Sequence, residues 1–267
     1  MSDQPTATMN GAAAPTPAPA QAPAQAPAQA LPLFFQGVAG VNPSQHSHLK
    51  LDRTRGFAFA QHAQSIPIGL GEFDVVSQHY PIVFTSGPAP TPVALMGIKE
   101  GANPFVLPTG AWRPDSYVPA YARAYPFIFV EDQGSQTLYV GMDLSSEQLN
   151  AETGTAIFED GKPSPALNDA ISFCAAFRDN LNAGVAFATA LDKAGLLEEE
   201  EATINFTAGG SARVRGFKVL KADRLEKLDD ATYLDWRHRG WIGAIYAHLH
   251  SAGRWARLVE MSAATAA

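Results

Sequence analysis

The chain has 267 residues, a formal net charge of −7 at pH 7 and one cysteine, Cys174. The negative charge would repel a phosphate backbone, which argues against nucleic acid as a partner. A single cysteine excludes an intrachain disulfide and a multi-cysteine metal site, and we expect Cys174 to be a buried apolar residue.

Residues 1–31 are expected to form a disordered tail. Between Thr6 and Ala30 the chain is almost entirely Ala, Pro, Gln and Thr, which offer no large apolar side chain to offset the entropy of ordering. The first charge is Asp3 and no Leu, Ile or Val precedes Leu31, so the features of a secretory signal are missing. No window of about 18 apolar residues suggests a membrane-spanning helix. We therefore expect a soluble, cytoplasmic protein without membrane insertion.

The first half of the chain carries short apolar runs broken by Pro and Gly, a pattern typical of strands. Two pairs of runs flank turn-forming residues, so each pair predicts an antiparallel hairpin. A short helical turn is expected between the two hairpins, over residues 117–125. The predicted strands and hairpins cover residues 57–59, 81–84 and 93–96, with pairing of 82–85 to 93–98 and of 127–130 to 137–142.

One long helix is expected in the second half. Ser164 suits its N-cap, Pro165 suits its first position, and Gly195 suits a left-handed cap at its end. Apolar residues recur between them at steps of three and four, so one face of the helix should lie against the core.

A second, C-terminal group of elements follows the helix. A hairpin is expected around Gly209 and Gly210, preceded by a solvated acidic connection over residues 198–201. Its strands and the helices after it are predicted at 202–207, 212–219, 223–227, 230–239, 241–252 and 254–261.

The expected fold class is therefore α+β. A sheet-rich, antiparallel N-terminal half precedes one long core helix, and a β-hairpin with short terminal helices completes the chain. The expected domain spans residues 32–262, with residues 202–262 as a possible C-terminal subdomain. The aromatic residues of this subdomain either pack on the main body or form a homodimer surface.

The ordered series of short motifs resembles the SapC family of bacterial proteins, over about residues 33–258. The motifs are His46-x-x-Leu49-Lys50-Leu51, Phe57-Ala58-Phe59-Ala60, Ile66-Pro67, Glu72-Phe73, His79-Tyr80-Pro81-Ile82-Val83-Phe84, Pro92-Val93-Ala94-Leu95-Met96-Gly97, Tyr117-Val118-Pro119-Ala120-Tyr121, Tyr125-Pro126-Phe127, Gly195-Leu196-Leu197 and Tyr246-Ala247-His248-Leu249-His250-Ser251. The resemblance implies an accessory role linked to bacterial surface-layer or nutrient-uptake systems, with a protein or peptide partner. The transporter label that members often carry conflicts with the hydropathy of this chain. The resemblance brings no catalytic residue.

Histidines define one candidate metal site. His46 and His48 lie two apart in a segment expected to be extended, so both rings could face one ion. Glu72 and Asp74 could supply a carboxylate, as in a two-histidine-one-carboxylate iron site. The enzyme alternative takes His46, Glu72 and His79 as candidate ligands for Fe or Zn in an oxygenase-like enzyme. The alternative has no cofactor: His46 bonds a backbone carbonyl and His48 is solvated.

Glu72 and His79 could also form an acid–base pair. The alternative is that Glu72 caps or ion-pairs the short helix that ends near His79. Trp112, Tyr117, Tyr121 and Tyr125 form a dense aromatic segment. This segment could line a groove for a peptide or sugar, or could pack in the core. The candidate binding residues are Glu72, His79, Tyr80, Trp112, Tyr117, Tyr121 and Tyr125.

His248 and His250 lie about 200° apart around a predicted helix, so they cannot easily share one ion. His248 is expected to pack beside Tyr246 and to form a hydrogen bond within the C-terminal part. The leading hypothesis is a non-enzymatic accessory or binding protein, and the alternative is a metal-dependent enzyme.

Overall fold

A computed structural model describes residues 31–131, 137–205 and 210–264. Residues 1–30 of the predicted tail lie outside these ranges. Gly209 of the predicted hairpin turn lies outside them as well. The described residues from Leu31 onward belong to one compact unit. Their helices and antiparallel sheets confirm the α+β class.

The strands are short except for the last two, and several have only two residues. In chain order they are β1 (Ala39–Gly40), β2 (Lys50–Leu51), β3 (Ser65–Pro67), β4 (Ile82–Thr85), β5 (Pro92–Leu95), β6 (Phe127–Glu131), β7 (Leu138–Met142), β8 (Leu149–Asn150), β9 (Thr155–Ala156), β10 (Phe158–Glu159), β11 (Lys162–Pro163), β12 (Leu197–Asn205) and β13 (Ser211–Leu220).

The helices are concentrated in the second half. They are α1 (Pro43–His46), α2 (Phe73–Ser77), α3 (Ala120–Ala124), α4 (Pro165–Lys193), α5 (Ala222–Leu225), α6 (Asp230–His238), α7 (Trp241–Ser251) and α8 (Arg254–Ala264), with 3-10 turns at Arg53–Arg55, Ala58–Ala60 and Leu70–Glu72. None of the helices in the described parts of the chain has both the length and the apolar character needed to span a bilayer.

The largest sheet has five antiparallel strands in the order β12-β13-β4-β5-β3. Its centre is the predicted hairpin of β4 and β5, in which Val83 lies opposite Val93. The second predicted hairpin, β6 with β7, forms a three-stranded sheet with β1. Because β13 pairs with β4, the C-terminal hairpin extends the central sheet. A separate subdomain over 202–262 stays a prediction.

The long helix α4 begins and ends where the sequence predicts. The Ser164 hydroxyl accepts a hydrogen bond from the Leu167 amide at 3.3 Å, and Pro165 is the first helical residue. Gly195 has φ +72°, the left-handed conformation that ends helices. The buried face of α4 carries Leu167, Ala170, Cys174, Gly184, Phe187, Ala188 and Leu191.

Two predicted elements of the sheets are wrong. Residues 57–59 lead into the 3-10 turn Ala58–Ala60 instead of a strand. The acidic run 198–201 belongs to β12 instead of a connection, because cations face it from the neighbouring elements. Lys221 pairs with Glu200, and Arg224 pairs with Glu198.

The core consists of two hydrophobic clusters. The larger one lies around the five-stranded sheet and the C-terminal half of α4, and the smaller one lies under the N-terminal half of α4. Trp236, Ile245 and Leu258 of the terminal helices are buried in the larger cluster. These residues therefore pack on the main body, which is one of the two alternatives that the sequence allowed. Tyr233 and Tyr246 remain exposed.

Candidate functional site

The three candidate metal ligands do not form a metal site. Among the described residues, no group of three or more His, Cys, Asp or Glu side chains is placed to hold an ion. His46 ends the short helix α1, so the expected extended segment is wrong, and its Nδ1 accepts the Asn42 amide at 3.1 Å instead of bonding a carbonyl. His48 is exposed.

The Glu72 carboxylate joins two segments of the chain by hydrogen bonds. Its buried carboxylate accepts hydrogen bonds from the Gly69 amide at 2.8 Å, the Ala120 amide at 2.7 Å and the Tyr117 hydroxyl at 3.0 Å. The first of these bonds caps the 3-10 turn that precedes α2, which is close to the capping role expected as one alternative. The other two tie that turn to the start of α3.

His79 lies beside cationic groups rather than beside a carboxylate partner. It is half-buried, and burial lowers the pKa of its imidazole, with the nearby Arg257 and Arg254 guanidinium groups adding to the effect. The pKa shift therefore favours a neutral ring at physiological pH.

Most of the candidate aromatic residues lie in the core. The Tyr80 hydroxyl donates to the Tyr117 carbonyl and accepts the Trp112 indole N–H at 3.1 Å. The Tyr121 hydroxyl donates to the Leu33 carbonyl at 3.1 Å. Trp112, Tyr121 and Tyr125 are all buried, so their arrangement is core packing and not an open groove.

A pocket of about 430 Å³ lies next to this aromatic segment, where the two hydrophobic clusters meet. Its wall combines arginine side chains with apolar and aromatic ones, the composition typical of small-molecule sites. The lining residues are Leu51, Arg53, Phe57, Arg123, Ala124, Gln148, Ala166, Asp169, Ala170 and Phe173. We call this the Arg53 pocket.

A tight turn places Arg53 in the pocket. The Asp52 carboxylate caps the turn by accepting the Thr54 amide at 3.0 Å and the Thr54 hydroxyl at 2.6 Å, and it also accepts the Thr153 hydroxyl at 2.7 Å. These bonds, led by the Thr54 hydroxyl, lower the pKa of Asp52 to about 2. The turn closes at Gly56, whose φ of +71° favours glycine.

The Arg53 guanidinium has neutral hydrogen-bond partners. It donates to the Tyr125 carbonyl and, at 3.1 Å, to the Gln148 side-chain oxygen. Gln148 is held in turn by donating to the Gly56 carbonyl at 2.8 Å. Among the described residues no Asp or Glu forms an ion pair with Arg53. The residue is exposed to solvent in the pocket, but the surrounding walls desolvate its charge and lower its pKa.

Arg123 forms the second cationic part of the wall. Its Nε donates to the Val118 carbonyl at 3.1 Å and its Nη2 donates to the Tyr117 hydroxyl at 2.8 Å. The guanidinium lies 5.0 Å from the centre of the Phe173 ring, within cation–π range. Because Tyr117 also donates to Glu72, a chain of hydrogen bonds runs from the buried Glu72 carboxylate to the pocket wall.

Sequence reasoning missed Arg53, Arg123 and Gln148. A local signal did exist for Arg53, because Asp52 and Gly56 enclose it with the residues of a capped turn. No comparable signal exists for Gln148, whose contact with Arg53 spans 95 positions of the chain.

The comparison with protein families covers most of the described residues. The model of the SapC family matches residues 41–258, so the chain belongs to the SapC family. No curated protein and no solved structure matches the chain.

Proposed function

We propose that the protein is a non-enzymatic accessory protein that binds an organic anion in the Arg53 pocket. A carboxylate is the anion class that we assign. By family association, this binding serves a bacterial surface-layer or nutrient-uptake system, in the cytoplasm and with a protein or peptide partner.

One observation carries the proposal: Arg53 presents its charge to a pocket of about 430 Å³ with only neutral groups as hydrogen-bond partners among the described residues. A guanidinium has five N–H donors in a planar fork that matches a carboxylate. The Tyr125 carbonyl and Gln148 already hold the Arg53 side chain in place. A ligand carboxylate would therefore meet preorganised donors, and little side-chain entropy would be lost on binding.

The remainder of the wall suits an anion with an apolar body. Phe57 and Phe173 offer aromatic surface, and Arg123 adds a second positive charge. Asp169 is exposed on the same wall and opposes these charges in part. Two arginines and one aspartate still leave the described wall with a net positive charge.

The test is the affinity of the protein for benzoate, measured by isothermal titration calorimetry. Charge-assisted hydrogen bonds contribute roughly 1.5–3 kcal/mol, so Arg53→Gln should raise the Kd by about 10- to 100-fold. Asp169→Asn should lower the Kd, because it removes a negative charge from the wall. Benzamide, which has the same shape without the charge, should bind more weakly than benzoate.

Arg213→Gln is the matched control. Arg213 lies on β13, is exposed, and forms its ion pair with Glu201 at 3.0 Å, outside the described pocket wall. This variant has the same change in net charge and should keep the wild-type Kd. Equal affinity of benzoate for wild type and Arg53→Gln, with both proteins folded, would refute the proposal.

A further inference from the structure

A second, smaller cavity lies beside the Arg53 pocket. It has a volume of about 120 Å³ and a wall that is apolar apart from the Arg178 guanidinium and the Tyr121 hydroxyl. The lining residues are Phe35, Tyr121, Ala124, Phe127, Ile128, Phe129, Cys174, Phe177, Arg178 and Leu181. We call it the Cys174 cavity.

The two spaces follow each other along one face of α4. The helix lines the Arg53 pocket from Ala166 to Phe173 and the Cys174 cavity from Cys174 to Leu181. Within each wall these positions are spaced by one, three or four residues, as on one side of a helix. The midpoints of the two α4 segments, 166–173 and 174–181, are separated by eight residues, which is about 12 Å at 1.5 Å per residue. Ala124 of α3 lines both spaces.

The cavity is suited to hydrocarbon. An apolar cavity of about 150 Å³ is known to stay dry and to bind benzene, so the Cys174 cavity is of the size that accepts a short alkyl segment. Arg178 at its edge is already engaged, because its guanidinium pairs with Asp179 at 2.7 Å and lies 5.2 Å from the centre of the Phe129 ring. The neighbouring pocket supplies the cations, because Arg53 and Arg123 line its wall and neither forms an ion pair with a described residue.

We infer that the bound anion is a medium-chain fatty acid, with its carboxylate at Arg53 and the end of its alkyl chain in the Cys174 cavity. This inference rests on the proposed function and names its ligand class. The alkyl chain of such a fatty acid would extend from the cationic Arg53 pocket to the apolar Cys174 cavity, which lies about 12 Å further along α4. A head group alone would leave the cavity unused.

The first test is a series of unbranched carboxylates from butyrate to decanoate, titrated below their micelle concentrations. Each methylene that enters an apolar site adds about fourfold in affinity. The affinity should therefore stay low for butyrate and rise steeply once the chain reaches the cavity. A flat series would overturn the inference, and so would a series that Arg178→Gln weakens while Arg53→Gln leaves it unchanged.

Leu181→Trp is the variant that tests the cavity. Leu181 is half-buried on its wall, so a larger side chain there should fill the space with little effect on the core. We expect Leu181→Trp to remove the gain from butyrate to decanoate and to leave benzoate binding unchanged. Retention of the full gain in a folded Leu181→Trp protein would contradict the inference.

Cys174 offers a test in the wild-type protein that does not depend on a variant. It is the sole cysteine of the chain, and it lines the cavity. Decanoate should slow the reaction of Cys174 with methyl methanethiosulfonate several-fold, whereas butyrate at equal occupancy should not. Equal rates with and without saturating decanoate would overturn the inference.

The outcomes separate this inference from the proposed function. If Arg53→Gln leaves benzoate binding intact, the proposed function fails and the inference fails with it. If benzoate binding depends on Arg53 but chain length and Cys174 protection have no effect, only the fatty acid inference fails.

Discussion

Replacing Glu72 with glutamine should destabilise the fold strongly, although the two side chains have nearly the same shape. One carboxylate oxygen accepts the Tyr117 hydroxyl and the Ala120 amide, and the other accepts the Gly69 amide. A glutamine must direct its NH2 group toward one of these sites, where it meets an N–H or O–H donor. At least one charge-assisted bond is lost and a buried donor is left without an acceptor.

The magnitude follows from these contacts. A hydrogen bond to a charged group contributes roughly 1.5–3 kcal/mol, and an unsatisfied buried donor costs roughly 1–3 kcal/mol. We expect Glu72→Gln to lower the free energy of unfolding by about 3 kcal/mol. Urea denaturation followed by circular dichroism measures the change, provided that the dependence on urea is the same in both proteins.

Tyr117→Phe is the matched control. It removes one of the three bonds to Glu72, together with the bond that Tyr117 accepts from Arg123, and keeps both backbone amides paired, so it should cost roughly 1.5 kcal/mol, less than Glu72→Gln. A free energy for Glu72→Gln within about 0.5 kcal/mol of wild type would show that the carboxylate does not hold these segments together.

Two further predictions concern stability. Burial lowers the pKa of His248 to about 4 from its ordinary 6.5, so the unfolded chain binds more protons between these values and stability should fall as pH drops through this window. His248→Gln keeps an acceptor for the Leu220 amide and removes the titrating ring. The variant should reduce the slope of the unfolding free energy against pH by up to about 1.4 kcal/mol per pH unit. An unchanged slope in urea titrations at pH values from 6.5 to 5 would contradict this. A Cβ on Gly97 would lie 1.9 Å from the Ala102 carbonyl oxygen, so Gly97→Ala should cost about 3 kcal/mol in the same assay. Gly243→Ala in α7, where the new Cβ has no neighbour within 4 Å, should gain roughly 0.5–1 kcal/mol, and equal effects at the two glycines would refute the steric argument.

The elements that the sequence predicts well have local causes. Helix α4 begins at a serine cap followed by proline and ends before a left-handed glycine, and each of these preferences acts within a few residues. The hairpin of β4 and β5 is equally local, because its turn lies between the strands that it joins.

The errors arise where neighbouring elements decide the structure. Phe57 and Phe59 alternate with alanine as in a strand, but three residues cannot distinguish a strand from a turn. Glutamates 198–201 disfavour a strand when considered alone. Lys221 and Arg224 follow β13 and offset that charge, and no local pattern announces this contact.

The candidate site illustrates the same limit. The sequence names Glu72 and Tyr117 as separate candidate binding residues, whereas the structure joins them by a hydrogen bond that continues to Arg123 on the pocket wall. Arg53 enters the pocket through contacts with Tyr125 and Gln148, which are 72 and 95 positions away. Contacts over such separations depend on the packing of the whole domain.

The most direct test of the account is the NMR resonance of the Arg53 Nε–H group during a titration with benzoate, with Arg53→Gln used to assign it. If the carboxylate binds this guanidinium, the Arg53 resonance should shift and saturate with the Kd that calorimetry gives, while the Arg213 resonance stays in place. Saturable binding of benzoate with no movement of the Arg53 resonance would contradict the assignment of the pocket.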